Sequence, residues 1–186
     1  MSHSGRVVVG VSGTPTSLQA LRAAVVEARR SRSQLVAVLA WTPPGGEISY
    51  RRAPCPPLLR VWEDEAARRL RNSFDEAFGG LPEDLPVELV TVRGEAGVSL
   101  VYVADRSEDL LVVGAGPHDA WARLFHGSTT RHCVGHANCR VLAVPAPELL
   151  AELPRSLRHR VPVAPRELTT AVLPAAPDPA HPEPRP

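Results

Sequence analysis

Five short runs of mostly β-branched and aliphatic residues, at 6–11, 34–41, 86–93, 109–114 and 140–144, alternate with longer segments whose apolar residues return every three or four positions. The short runs read as strands and the longer segments of helical period as helices. Alternation of strand and helix brings successive strands back in the same direction through right-handed crossovers, so helices come to cover both faces of a parallel sheet. Strands buried on both sides have no polar face, which accounts for Val7-Val8-Val9 and Leu110-Leu111-Val112-Val113. The expected fold class is α/β, a five-stranded parallel sheet with helices on both faces.

Between these strands, 17–32 carries Leu18, Leu21, Ala24, Val25 and Ala28 on one helical face. Residues 58–78 do the same with Leu59, Trp62, Ala66, Leu70, Phe74 and Phe78, and stop at Gly79-Gly80. The Trp62 and Phe74 stripe reads as core or dimer packing. Helices are also expected at 96–106 and 128–136, whereas 42–57, with five prolines and Gly45-Gly46, reads as one long loop. More than half of the chain's 20 prolines lie from 145 onward, and no apolar period survives there. The expected organisation is one domain over 1–146 and a proline-rich, mostly disordered tail over 147–186, with a short helix around 148–153.

Composition excludes several classes of function. The net charge of +1, with acids and bases interspersed, offers no field for nucleic acid or an anionic membrane surface. Apolar stretches fall well short of the roughly 20 residues that span a bilayer. All 21 residues counted as lysine or arginine are arginine, so chemistry that needs a P-loop lysine, a Schiff base or a lysine base is ruled out. Three cysteines and an N-terminus without an apolar core segment point to the reducing cytoplasm.

The strand ending Val112-Val113-Gly114 runs through a short loop to Gly127-Ser128-Thr129-Thr130, a hydroxyl-bearing helix start. Free amides and the helix dipole at such a start favour anions, which makes this a candidate phosphate site; the same residues also serve as a plain N-cap. Together with Val7-Val8-Val9-Gly10-Val11-Ser12-Gly13-Thr14 and Ala20-Leu21-Arg22-Ala23-Ala24, the block from 111 to 144 resembles the universal stress protein family over roughly residues 5–146. Nucleotide-binding members of that family carry Gly, two residues, Gly, nine residues, then Gly-Ser or Gly-Thr. Gly114, position 117 and Gly127-Ser128 fall in that register. Two positions depart from it. Pro117 replaces a glycine and removes an amide, leaving Gly116 to supply flexibility, and Ser12 replaces an aspartate.

The resemblance implies a Rossmann-like sheet in the order 3-2-1-4-5, as in adenine nucleotide alpha hydrolases, with a ligand crevice between the ends of the first and fourth strands. It implies that ATP sits against Gly10, Ser12 and Thr14, beside Gly114 and Gly116, with Gly127, Ser128, Thr129 and Thr130 at its phosphates. Ala40 and Val113 would then border the adenine. It further implies a homodimer through the last strand, Val141-Leu142-Ala143-Val144, and a regulatory rather than catalytic role.

Other readings stay open at this level. Loss of nucleotide binding through Ser12 and Pro117 would leave a dimeric interaction scaffold. The run Ser12-Gly13-Thr14-Pro15-Thr16-Ser17 loosely resembles the loop of ATP pyrophosphatases, without its second glycine or its aspartate. Arg123, His126 and Arg131 are either counter-charges for phosphate or solvated, and a magnesium-bound water would have to look to Asp109 or Asp119. His132, Cys133, His136 and Cys139 are zinc-ligand types, but Cys133 leaves the His132/His136 stripe and Cys139 lies past the helix, so no metal site is expected.

Overall fold

The computed structural model describes residues 5–115 and 129–146. Strand β1 (Val7–Gly10) leads into α1 (Pro15–Ser31), β2 (Leu35–Trp41), α2 (Gly46–Arg52) and α3 (Pro56–Phe78). Then come β3 (Val87–Arg93), α4 (Ala96–Val103), β4 (Leu110–Gly114), α5 (Thr129–His136) and β5 (Arg140–Val144). All pairings are parallel, and the sheet order is β3-β2-β1-β4-β5. The register aligns Val7 with Leu35 on one side and with Leu110 on the other. The fold class and strand order expected above are those observed.

Period-two alternation divides the sheet between two cores. Val7, Val9, Leu35, Ala37, Leu39 and Val112 face α1 and α3, where they meet Leu21, Val25, Leu70 and Phe74. Val8, Val36, Val38, Leu111 and Val113 face α4 and α5, where they meet Leu100 and Cys133. Helix α1 can lie close to the strands because Ala20, Ala24 and Ala28 on its inner face are fully buried and small. Phe74 belongs to the core and Trp62 packs on its margin, as their stripe suggested.

Two segments differ from the sequence reading. The stretch 42–57 is not wholly a loop, because α2 forms inside it after Gly45 turns the chain at φ 80°. None of its residues is buried; contacts far away in sequence hold it instead. Arg93, at the end of β3, forks onto Glu47 at 2.7 and 2.8 Å and places its guanidinium 4.6 Å over the Tyr50 ring, which in turn meets Trp62 edge-on. Helix α4 ends at Val103 rather than Arg106, because the chain then bends to let Asp105 and the Arg106 amide join a polar cluster around Arg6.

That cluster closes the lower edge of the sheet. The Asp109 carboxylate, fully buried, accepts from the Arg6 guanidinium at 2.6 and 3.2 Å, from the Arg6 amide at 3.0 Å and from the Arg106 amide at 3.4 Å. Burial pushes the carboxyl up, but the Arg6 bonds and charge together outweigh it and hold Asp109 below the usual carboxylate range.

Candidate functional site

Helix α1 leaves the upper end of β1, while β4, the neighbour of β1 on the other side, sends its chain toward α5. Where the strand order reverses in this way, the two connections part and leave a crevice at the carboxyl ends of the strands. Here it holds a cavity of about 340 Å³, within the range of roughly 300–1,000 Å³ usual for small-molecule sites. Gly10, Ser12, Thr14, Ala40, Val113, Gly114 and Thr129 all line it, so seven residues picked from separate parts of the sequence come together. Gly116, Gly127 and Ser128, and with them Pro117, lie outside the described residues.

Thr130 is placed differently. Its hydroxyl donates to the Gly114 carbonyl at 3.0 Å, tying the start of α5 to the end of β4. The β1–α1 turn is likewise closed on itself. Thr14 caps α1 by accepting from the Ser17 amide at 3.2 Å, the Ser17 hydroxyl donates to the Thr14 carbonyl at 2.9 Å, and the Ser12 amide donates to the Ser17 hydroxyl at 3.2 Å. With Pro15 in the first turn, α1 has few amides left for a ligand. The Ser12 and Thr14 hydroxyls stand 3.1 Å apart and exposed, available to a polar ligand edge.

Most of the remaining wall is apolar and was not picked from sequence: Val11, Val38 and, from α4, Ala96 and Leu100. Thr16 and Ser17 complete it. Val38 shares the face of Ala40 by strand alternation, and Ala96 and Leu100 share a helix face, so the pattern was present; which face meets the cavity depends on packing. Gly10 and Gly114 are bare for the protein's own sake. A Cβ at Gly10 would come within 2.7 Å of Leu100, and one at Gly114 within 2.9 Å of the Thr16 carbonyl. Among the described residues of the wall there is no charged side chain. The described wall therefore suits a flat, uncharged ring with polar edges.

Asp109 is unavailable to this site. It stands at the start of β4, opposite the cavity, and its oxygens are occupied by Arg6 and Arg106. The His132 and His136 rings stack at 4.3 Å, while Cys133 is buried, with its thiol pushed up to about 11 by burial and by Cys139. Among the described residues no group of three or more His, Cys, Asp or Glu is placed to hold a metal ion. Among them also, no helix is long and apolar enough to cross a membrane.

Residues 3–145 match the family model described as universal stress protein family. A universal stress protein of Mycobacterium tuberculosis is 30% identical over 143 residues, which cover 76% of this chain and 44% of that protein. The chain thus spans about half the length of the curated relatives it matches. A universal stress protein crystallised in complex with cAMP is 28% identical, with a TM-score of 0.50 over 78% of this chain and 100% of that one. The universal stress protein UspA from Lactobacillus plantarum superposes with a TM-score of 0.55 at 20% identity, over 77% of this chain and 99% of its own, a likeness of fold.

Proposed function

This chain belongs to the universal stress protein family, and from that premise we propose that residues 1–146 form a unit that binds an adenine nucleotide, ATP among them, between the ends of β1 and β4. The observation that carries this reading is the cavity itself, in which Gly10, Ser12, Thr14, Ala40, Val113, Gly114 and Thr129 converge at the switch point. Val38, Ala40 and Val113 offer the apolar faces that an adenine needs, and the Ser12 and Thr14 hydroxyls offer partners for a ribose. Gly127 and Ser128, in the register of the family's phosphate segment, Gly116, one residue before the proline that departs from it, and Thr129 at the start of α5 serve the phosphates. The relative crystallised with cAMP supports an adenine ligand.

The role is regulatory. Binding shifts the chain's stability and surface, and no described side chain at the cavity is a general base or a nucleophile paired with one. The working form is a homodimer joined through Val141, Leu142, Ala143 and Val144 of β5, an edge strand with Leu142 exposed. Three free cysteines suit a reducing cytoplasm.

The test is a thermal-shift titration with ATP, AMP and cAMP. A ligand that binds only the folded state raises Tm in proportion to ln(1 + [L]/Kd), so Tm should climb steadily with nucleotide concentration. A flat response at millimolar nucleotide sinks this reading and leaves the dimeric scaffold in its place.

A further inference from the structure

Helix α4 has no polar face. Its sequence, Ala-Gly-Val-Ser-Leu-Val-Tyr-Val, offers beyond the Tyr102 hydroxyl only that of Ser99, and Ser99 is buried. The longer helices differ: α1 turns Arg22, Arg29 and Arg30 to solvent, and α3 turns Arg60, Glu63 and Asp64. A helix that is apolar all round is ordinarily covered all round. On α4 only one side is covered, since Leu100 lies in the core while Val98 is 56% exposed and Tyr102 79%.

Tyr102 also walls a hollow of about 460 Å³ between the end of α4 and the sheet. Its floor is apolar, with Val36 and Val90 from β2 and β3 and Val101 from α4, and its rim carries the exposed Glu88 and Asp105. Arg6 is the only cation among the described residues of the wall, and its guanidinium is engaged by Asp105 at 2.7 Å and by the buried Asp109 at 2.6 Å. One cation thus faces three carboxylates, Glu88 among them, and the hollow is acidic as well as apolar.

Such a surface fits a segment in which apolar residues are interleaved with cations and acids are missing. The chain carries one outside the described residues: 155–166 holds Arg155, Arg158, Arg160 and Arg166 with Leu157, Val161 and Val163, and no Asp or Glu. It is long enough to arrive there. Ten residues, 147–156, separate the last described residue, Ala146, from Leu157 and can span at most about 35 Å. The upper end of β5 is about 25 Å from the lower part of β3, four strand spacings across and about five residues down. A second copy is the poorer occupant, because a two-fold axis through this face would bring two acid-rimmed surfaces together.

We propose that residues 155–166 of the same chain dock across the outer face of α4 and into this hollow. Leu157, Val161 and Val163 meet the apolar floor and Tyr102, and the arginines lie beside Glu88 and Asp105. The apolar face of α4 is thereby covered from within the chain.

Photocrosslinking of the full chain tests this. Tyr102 is exposed, so replacing it by p-benzoylphenylalanine leaves the core intact. Irradiation should give adducts of monomer mass on a denaturing gel, at a yield independent of protein concentration, and peptide mapping should place them within 155–166. Arg158→Glu combined with Arg160→Glu should lower that yield several-fold, because acids then face Glu88 and Asp105, and adding Glu88→Arg to the pair should restore part of it. Adducts of dimer mass that rise with concentration put a second copy on α4 and overturn the proposal. Monomer adducts outside 155–166, a yield indifferent to the charge reversal, or no adduct at all overturn it as well.

Discussion

Gly10 and Gly114 occupy equivalent places at the ends of neighbouring strands, yet a methyl group added to each meets a different kind of obstacle. At Gly114 the new Cβ would strike the Thr16 carbonyl, which is backbone and cannot rotate away. Gly114→Ala should therefore destabilise the fold by about 1–3 kcal/mol in urea denaturation, as overpacking does. At Gly10 the obstacle is the far end of the Leu100 side chain, which also lines the cavity and can swing. Gly10→Ala should cost less stability and more nucleotide affinity, and equal losses on both axes would contradict this distinction. Asp109 sets the pH dependence at the same scale. Its folded pKa lies below the unfolded value of about 3.9, so its contribution is fully present above about pH 4 and is lost as pH falls through the lower folded value. Asp109→Asn leaves Arg6 with only the exposed Asp105 as a charged partner, and should cost about 1.5–3 kcal/mol at neutral pH, the size of a hydrogen bond to a charged group. The gap between variant and unaltered chain should close as denaturation is repeated at progressively more acid pH; a constant gap would remove this pair as the source.

Among the elements, the strands and the long helices were legible in the sequence because burial on one or two faces leaves a period that survives without any neighbour in view. Helix α3, with its glycine stop at Gly79, and β5 lie where their patterns placed them. Helix α2 left no such trace. Its residues are unburied, and the contacts that hold it join Glu47 and Tyr50 to Arg93 and Trp62, which no local reading connects. Strand β5 makes the clearest prediction at this scale. It is an edge, and of its residues Arg140, Leu142 and Ala143 are exposed. If it pairs with a second copy, Leu142→Lys should turn the dimer into a monomer by light scattering with Tm lowered only modestly, because the side chain leaves the core untouched. A dimer that persists would move the interface elsewhere.

Across the whole molecule, the chain determined by itself that it would be a parallel α/β protein. Short, doubly apolar strands separated by helices of period 3.6 admit few other arrangements, and right-handed crossovers restrict those further. Seven residues of the cavity wall were named from the sequence too, Gly114 and Thr129 by the strand-to-helix pattern and Gly10, Ser12, Thr14, Ala40 and Val113 by the family resemblance. What the sequence could not show was how the ends meet. The apolar wall from Val38, Ala96 and Leu100, the self-closed start of α1, and the commitment of Thr130 to the Gly114 carbonyl all come from contacts between distant segments. The same holds for Asp109, which in sequence stands beside the motif strand but in space lies at its opposite end, locked to Arg6. Local periodicity records which face of an element is buried; only the packing of one element on another decides what that face touches, because a side chain's partners are set by the sheet order and not by its neighbours along the chain.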